Sequence, residues 1–184
     1  MIFTPYPRGT EVNLRNELVK TFDGRFPEIA KRQMGCLRKA RKDASGNLIR
    51  CACVDPSTFE ADRDTFCPLC QGEGYIFDEV FMEIYKKPLG VGTGEALEDK
   101  LFGAGLANVH LVVFYTRFSD NITEDDRVVE LVLDQAGNIA QPPLRKTIYR
   151  IGHAIDYRLD NGKLEYWAIF CHEIKRRFLN GVEQ

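Results

Sequence analysis

The apolar positions of this chain change period once. Residues 11–22 place Val12, Leu14, Leu18, Val19 and Phe22 at helical spacing, with Thr10 available as a cap, and predict a short helix. Gly24 and Pro27 end it. From Met34 onward the pattern is that of strands. Residues 34–52 read as a hairpin turning at Asp43-Ala44-Ser45-Gly46-Asn47. Residues 75–77 and 80–85 are rich in aromatic and β-branched side chains, as strands prefer. Residues 109–118 and 127–133 read as two more strands, the second closing on a turn at 134–138. The clearest hairpin joins 147–159 to 163–176 through Asp160-Asn161-Gly162, a turn that supplies the positive φ a tight connection needs. Several strands, tight turns and one helix predict a mainly β chain, a small antiparallel β-barrel or sandwich.

Set into this pattern is the run Cys51-Ala-Cys53 and, one loop later, Cys67-Pro-Leu-Cys70-Gln-Gly72-Glu-Gly74. Two close cysteine pairs separated by a loop are a common way to build a tetrahedral zinc site, because each pair reaches the ion from its own turn. Pro68 presets φ in the second turn, and Gly72 supplies a left-handed exit from it. Backbone N–H groups in such a turn can point at the first thiolate and lower its basicity. A disulfide framework and a set of buried thiols are the competing readings. Six cysteines are few for a disulfide scaffold in 184 residues. The N-terminus has neither the basic nor the apolar segment of a signal peptide, so a reducing compartment is expected. Four thiolates leave no open coordination position, which predicts a structural Zn²⁺ held by Cys51, Cys53, Cys67 and Cys70. Cys36 and Cys171 are expected in the core.

Charge adds little. The formal net charge is −2, with 44% apolar residues, enough for a real core and no argument for nucleic acid or an acidic membrane. No apolar run approaches the roughly 20 residues that span a bilayer, so a soluble chain is expected. Basic residues cluster before the cysteines, and Arg38, Lys39, Arg41 and Lys42 could face DNA or a protein interface. A solvated strand face accounts for the same residues, and the interleaved aromatics of a single-strand binding platform are missing. The acidic trio Glu124-Asp125-Asp126 reads as a loop entering a strand. His110, His153 and His172 stand apart in sequence, no nucleophile–base pair assembles, and the chain is read as not an enzyme.

Residues 88–106 carry glycines at 90, 92, 94, 103 and 105. The segment lacks the Lys-Ser/Thr ending of a phosphate loop and reads as a flexible loop. Leu97, Leu101 and Phe102 within it could order against a neighbouring subunit during assembly. The expected organisation is an N-terminal arm and helix (1–33), a hairpin with an inserted zinc knuckle (34–87), the glycine-rich loop (88–106) and a barrel portion (107–184). Residues 34–184 are expected to form one folded unit.

Several stretches together resemble neck proteins of tailed bacteriophages. They are Cys51-Ala-Cys53-Val-Asp, Cys67-Pro-Leu-Cys70-Gln-Gly-Glu-Gly-Tyr75 with Asp78-Glu79, and the acidic 119–126. Tyr149-Arg-Ile-Gly152, the block 156–167 and Phe178-Leu-Asn-Gly181 extend the likeness over most of the chain beyond about residue 34. The resemblance implies a virion component of the head–tail junction, a head-closure (stopper) or adaptor protein built on a small β-barrel. Such a connector forms a homo-oligomeric ring, joins the portal or an adaptor to a tail or tail-terminator protein, and helps retain packaged DNA. It is made in the host cytoplasm, resides in the virion and contacts no membrane. A zinc-ribbon module that binds nucleic acid is the alternative function, supported by the basic residues before Cys51.

Overall fold

The structure is a computed structural model that describes residues 14–22, 33–61, 66–88, 111–135, 138–158, 162–174, 178–179 and 182–183. Six antiparallel strands close into a barrel in the order β1-β2-β3-β6-β5-β4. They are β1 (Gln33–Ala40), β2 (Phe77–Pro88), β3 (Leu111–Arg117), β4 (Arg127–Leu131), β5 (Arg145–Arg158) and β6 (Leu164–Ile174). Helix α1 (Leu14–Phe22) precedes them, and a two-residue ladder, β7 (Phe178–Leu179) with β8 (Val182–Glu183), follows. The barrel and the short helix agree with the sequence reading.

Alternation explains the closure. Leu37, Met82, Ile84, Val112, Phe114, Val128, Tyr149, Ile151, Ile169 and Cys171 share one buried cluster, to which β2, β3, β5 and β6 each give two residues spaced two apart and β1 and β4 one each. Each strand therefore offers an apolar face, and curling the sheet until β1 meets β4 buries all of these faces at once. Closure also removes the free edges that invite aggregation. Gly35 belongs to this economy of space, since a Cβ there would lie 2.6 Å from Ile84 Cδ1.

The outer face of part of the wall is buried as well. Cys36, Val129, Leu131 and Ile148 form a second cluster outside β1, β4 and β5, with Ile139 from the β4–β5 connection against it. Cys36 and Cys171 are core residues, as expected, and burial drives the Cys36 thiol pKa up to about 12. β1 is buried on both faces and is paired at both edges, with β2 along its whole length and with β4 over Gly35–Arg38. This corrects the expected hairpin over 34–52. Its turn exists, with Asp43 N–H bonded to Asn47 O at 2.9 Å, but beyond it only the Lys42–Leu48 bridge pairs the two arms.

The connection from β3 to β4 carries Ile122 into the interior cluster. Asp126 fastens this connection to β1: its carboxylate accepts from Ala40 N–H at 2.9 Å and from Thr123 N–H at 2.8 Å. Asp125 meets Lys42 at 2.6 Å and Glu124 meets His153 at 3.2 Å, so every member of the acidic trio makes a structural contact. Replacing Asp126 by alanine strands two backbone donors beside a buried residue. A loss on the order of 2–3 kcal/mol is expected, measured as a lower denaturant midpoint with an unchanged slope.

Helix α1 docks beside β6. Arg15 donates to Leu164 O, lies 3.5 Å from Glu165 and stacks over the Phe118 ring at 3.8 Å. Among the described residues no helix is long and apolar enough to cross a membrane.

Candidate metal centre

All four expected ligands lie in the excursion between β1 and β2, which leaves the barrel at Ala40 and returns at Phe77. The two strands remain paired up to that point, and the ladder runs on into the excursion. Arg41 N–H bonds to Ile76 O, Ile76 N–H to Ile49 O, and Cys51 N–H to Gly74 O. Cys51 and Gly74 are thus held opposite each other, and each cysteine pair starts from a fixed point on the rim.

The second pair sits in a tight turn. Gln71 N–H reaches Cys67 O at 2.7 Å and Glu73 N–H reaches Cys70 O at 3.1 Å. The chain then leaves through three positive-φ positions, Gln71 at 56°, Gly72 at 79° and Gly74 at 78°. Glycine carries two of them without strain. At Gly74 a side chain would also press on Val54, with Cγ2 at 3.3 Å from the added Cβ. The first pair turns more briefly, with Val54 N–H bonded to Cys51 O at 3.1 Å.

These turns converge the four sulfurs. The Sγ atoms of Cys51, Cys53, Cys67 and Cys70 all lie within 4.8 Å of one another. Cys51 and Cys67 are 3.7 Å apart, and Cys53 and Cys70 are 3.3 Å apart. A tetrahedron with metal–sulfur bonds of about 2.3 Å has sulfur edges of about 3.8 Å. The spacing fits such an ion and exceeds the roughly 2.05 Å of a disulfide. The four cysteines could hold a metal.

Electrostatics point the same way. Burial opposes ionisation of Cys67, yet the N–H groups of Cys70 and Leu69 and the neighbouring Cys51 and Cys53 thiols lower its pKa to about 7. Cys70 is raised by burial, against N–H groups of Gly74 and Gly72 that favour its thiolate. Cys53 is raised by burial and by the thiols around it. The turn's N–H groups favour the thiolate at Cys67, while burial opposes ionisation of Cys53 and Cys70, and the neighbouring thiols that of Cys53, unless a cation sits among them.

The knuckle is pressed against the outside of the barrel wall. Arg38, 1% exposed, extends from β1 beneath it. Its guanidinium lies 3.5 Å from Leu69 O, 3.4 Å from Glu79 Oε1 and 4.5 Å above the Phe77 ring centre. Burial disfavours its charge, and Glu79 with the Cys36 and Cys70 thiols favours it. Arg145 from β5 reaches Glu79 at 2.8 and 3.1 Å and, with the Gln71 amide correctly oriented, donates to Gln71 O at 2.9 and 3.2 Å. Arg127 from β4 lies 3.4 Å from Glu73.

The basic strip of the sequence reading therefore divides. Arg38 is not available to DNA or to another protein, because the knuckle covers it; this corrects the expected exposure. Arg41 is exposed and held by Asp78 at 2.8 Å, and Lys42 by Asp125. Lys39 is half-buried on β1. Leu97, Leu101 and Phe102 lie outside the described residues, as does the whole of 89–110.

Sequence reasoning missed Arg127 and Arg145, which stand 54 and more residues from their knuckle partners and have no local signature. It also missed a polar network between β2, β4 and β5. Lys86 Nζ donates to Glu130 at 2.7 Å and to Tyr149 Oη at 3.0 Å, while Tyr149 donates to Glu130 at 3.1 Å and Lys146 to the other oxygen at 2.9 Å. Every member satisfies another, which suits a structural tie between strands. No protein-family model and no curated protein matches this chain.

Proposed function

We propose that the chain is a structural protein of the neck of a tailed bacteriophage, a ring-forming head-closure or adaptor component stiffened by a structural zinc knuckle. The observation that carries the reading is a closed six-stranded barrel with four convergent cysteines inserted between its first two strands. A barrel of this kind is what the sequence resemblance implies, and the cysteine run is part of that resemblance. The donor set favours zinc: soft thiolates in a tetrahedral array select it over the oxygen-seeking cations.

Geometry bears on the alternative, a nucleic-acid-binding zinc ribbon. Of its four basic candidates, Arg38 is buried and Arg41 and Lys42 are paired with carboxylates. Phosphate binding would have to break those pairs. The connector reading asks less of these residues, because a ring subunit works through its surfaces. Adjacent copies are expected to bury at least about 1,000 Å² in total, in a heterologous contact that closes by rotation.

Mass spectrometry of purified virions, with labelling of the protein in electron micrographs, tests the reading. Several copies per particle, localised between head and tail, are expected. Their absence would overturn the neck assignment. Steeply salt-dependent DNA binding by the isolated chain would then put the zinc-ribbon alternative in its place.

A further inference from the structure

A divalent ion held by four thiolates carries a net charge of about −2, and in a folded protein that charge needs an answering environment. The wall beneath the knuckle supplies cations from three different strands. Arg38 on β1 and Arg145 on β5 both converge on one carboxylate, Glu79, at the base of the turn that carries Cys67 and Cys70. Arg127 on β4 reaches Glu73 in the same turn. Their contacts are with the knuckle itself: Leu69 O for Arg38, Gln71 O for Arg145, the Glu73 carboxylate for Arg127. Leu69 and Gln71 each adjoin Cys70, so these guanidinium groups approach the ligand loop through its backbone and amide acceptors.

Arg38 is the informative member. A guanidinium buried to 1% exposure is costly unless nearby charge answers it. Its ion contact to Glu79, at 3.4 Å, lacks hydrogen-bond geometry at Nε, and Glu79 is shared with Arg145. Among the described residues the sulfur cluster is a further group on the knuckle side able to carry negative charge, and Arg38 touches Leu69, which adjoins the ligand Cys70.

We propose that Arg38, with Arg145 beside it, is a positioning residue of the metal centre: it answers the tetrathiolate's charge and thereby couples metal loading to seating of the knuckle on the barrel. The proposal rests on the metal reading of the four cysteines. Loading places the anion that holds the knuckle down over Arg38, and loss of metal withdraws that charge from above a buried cation. The knuckle and the barrel are in this way one device, in which the metal reports to the wall through charge.

The test is zinc affinity of the full chain, by competition with a chromophoric chelator, together with unfolding midpoints measured with and without metal. Arg38→Met is expected to bind zinc about 10–100-fold more weakly, while its cobalt-loaded form keeps the absorption of four thiolate ligands. Arg38→Lys should recover most of the affinity. The substitution should lower the midpoint of the loaded protein and leave that of the metal-free protein unchanged or higher. Equal lowering in both forms would mean that Arg38 only packs, and would overturn the proposal. If Arg38→Met does not fold, Arg145→Gln at a partly exposed site serves instead. An affinity several-fold weaker is expected there, and wild-type affinity would again overturn the proposal. A wild-type chain that binds no zinc would overturn the metal reading from which the proposal starts, an outcome distinct from either.

Discussion

Replacing Cys67 by serine is expected to empty the metal centre and loosen residues 50–74 while the barrel stays folded. Zinc binding to comparable cysteine sites is worth roughly 10–16 kcal/mol in apparent terms, and part of that free energy is folding free energy of the loop that carries the ligands. Within 50–74 the tertiary support is thin. Among its described residues the segment contributes the buried Cys51 and Cys70 but no large aliphatic side chain to the core, and Phe59 and Leu69 are largely exposed. The barrel, by contrast, closes through ladders that involve none of these residues. Hydrogen exchange checks the division. Protection should fall in 50–74 and persist in 164–174, with the near-UV signal of Trp167 retained. Loss of the Trp167 signal would show that the knuckle and the barrel unfold as one.

Phe114→Ala is expected to do the opposite: destabilise the barrel and spare the metal stoichiometry. Phe114 is fully buried on β3, inside the largest apolar cluster, with its ring set edge-on to Tyr149 at 5.0 Å. Truncating such a residue removes its transfer free energy and leaves a cavity that a closed barrel collapses poorly, for a loss of about 3–5 kcal/mol. For a chain of this size that is a fall in Tm on the order of 10 °C. Denaturant or thermal unfolding gives the loss, and elemental analysis of the folded variant should still find one metal per chain. A loss under about 1 kcal/mol would contradict the assignment of the barrel interior as the main core.

Much of this architecture was legible along the chain because the physics involved is local. A period of two marks the strands, Asn161-Gly162 marks the last hairpin, where Gly162 has φ 76°, and the spacing of four cysteines marks the site. Prediction failed where the deciding contact is distant. The turn at 43–47 is correct, yet the arm that follows it is not the partner of β1. Nothing within 34–52 says that both edges of β1 must be taken by β2 and β4. Arg38 fails for the same reason. In a cluster of basic residues it resembles its neighbours, and only the return of residues 69–79 over it makes it interior.

The knuckle itself combines both kinds of information. Pro68, Gly72 and Gly74 announce a tight turn, and the N–H groups at Cys67 and Cys70 follow from that geometry. What seats the turn on the barrel comes from β1, β4 and β5, through three arginines that carry no motif. A structural metal that staples this insertion to the barrel would stiffen one surface of the chain.

The central claim is a tetrathiolate metal centre joined to a closed barrel, and X-ray absorption at the zinc edge of the purified chain tests it most directly. Four sulfur neighbours at about 2.3 Å, with one zinc per chain, are predicted. A shell containing nitrogen or oxygen at about 2.0–2.1 Å, or a chain purified without metal that fails to take up zinc, would contradict it.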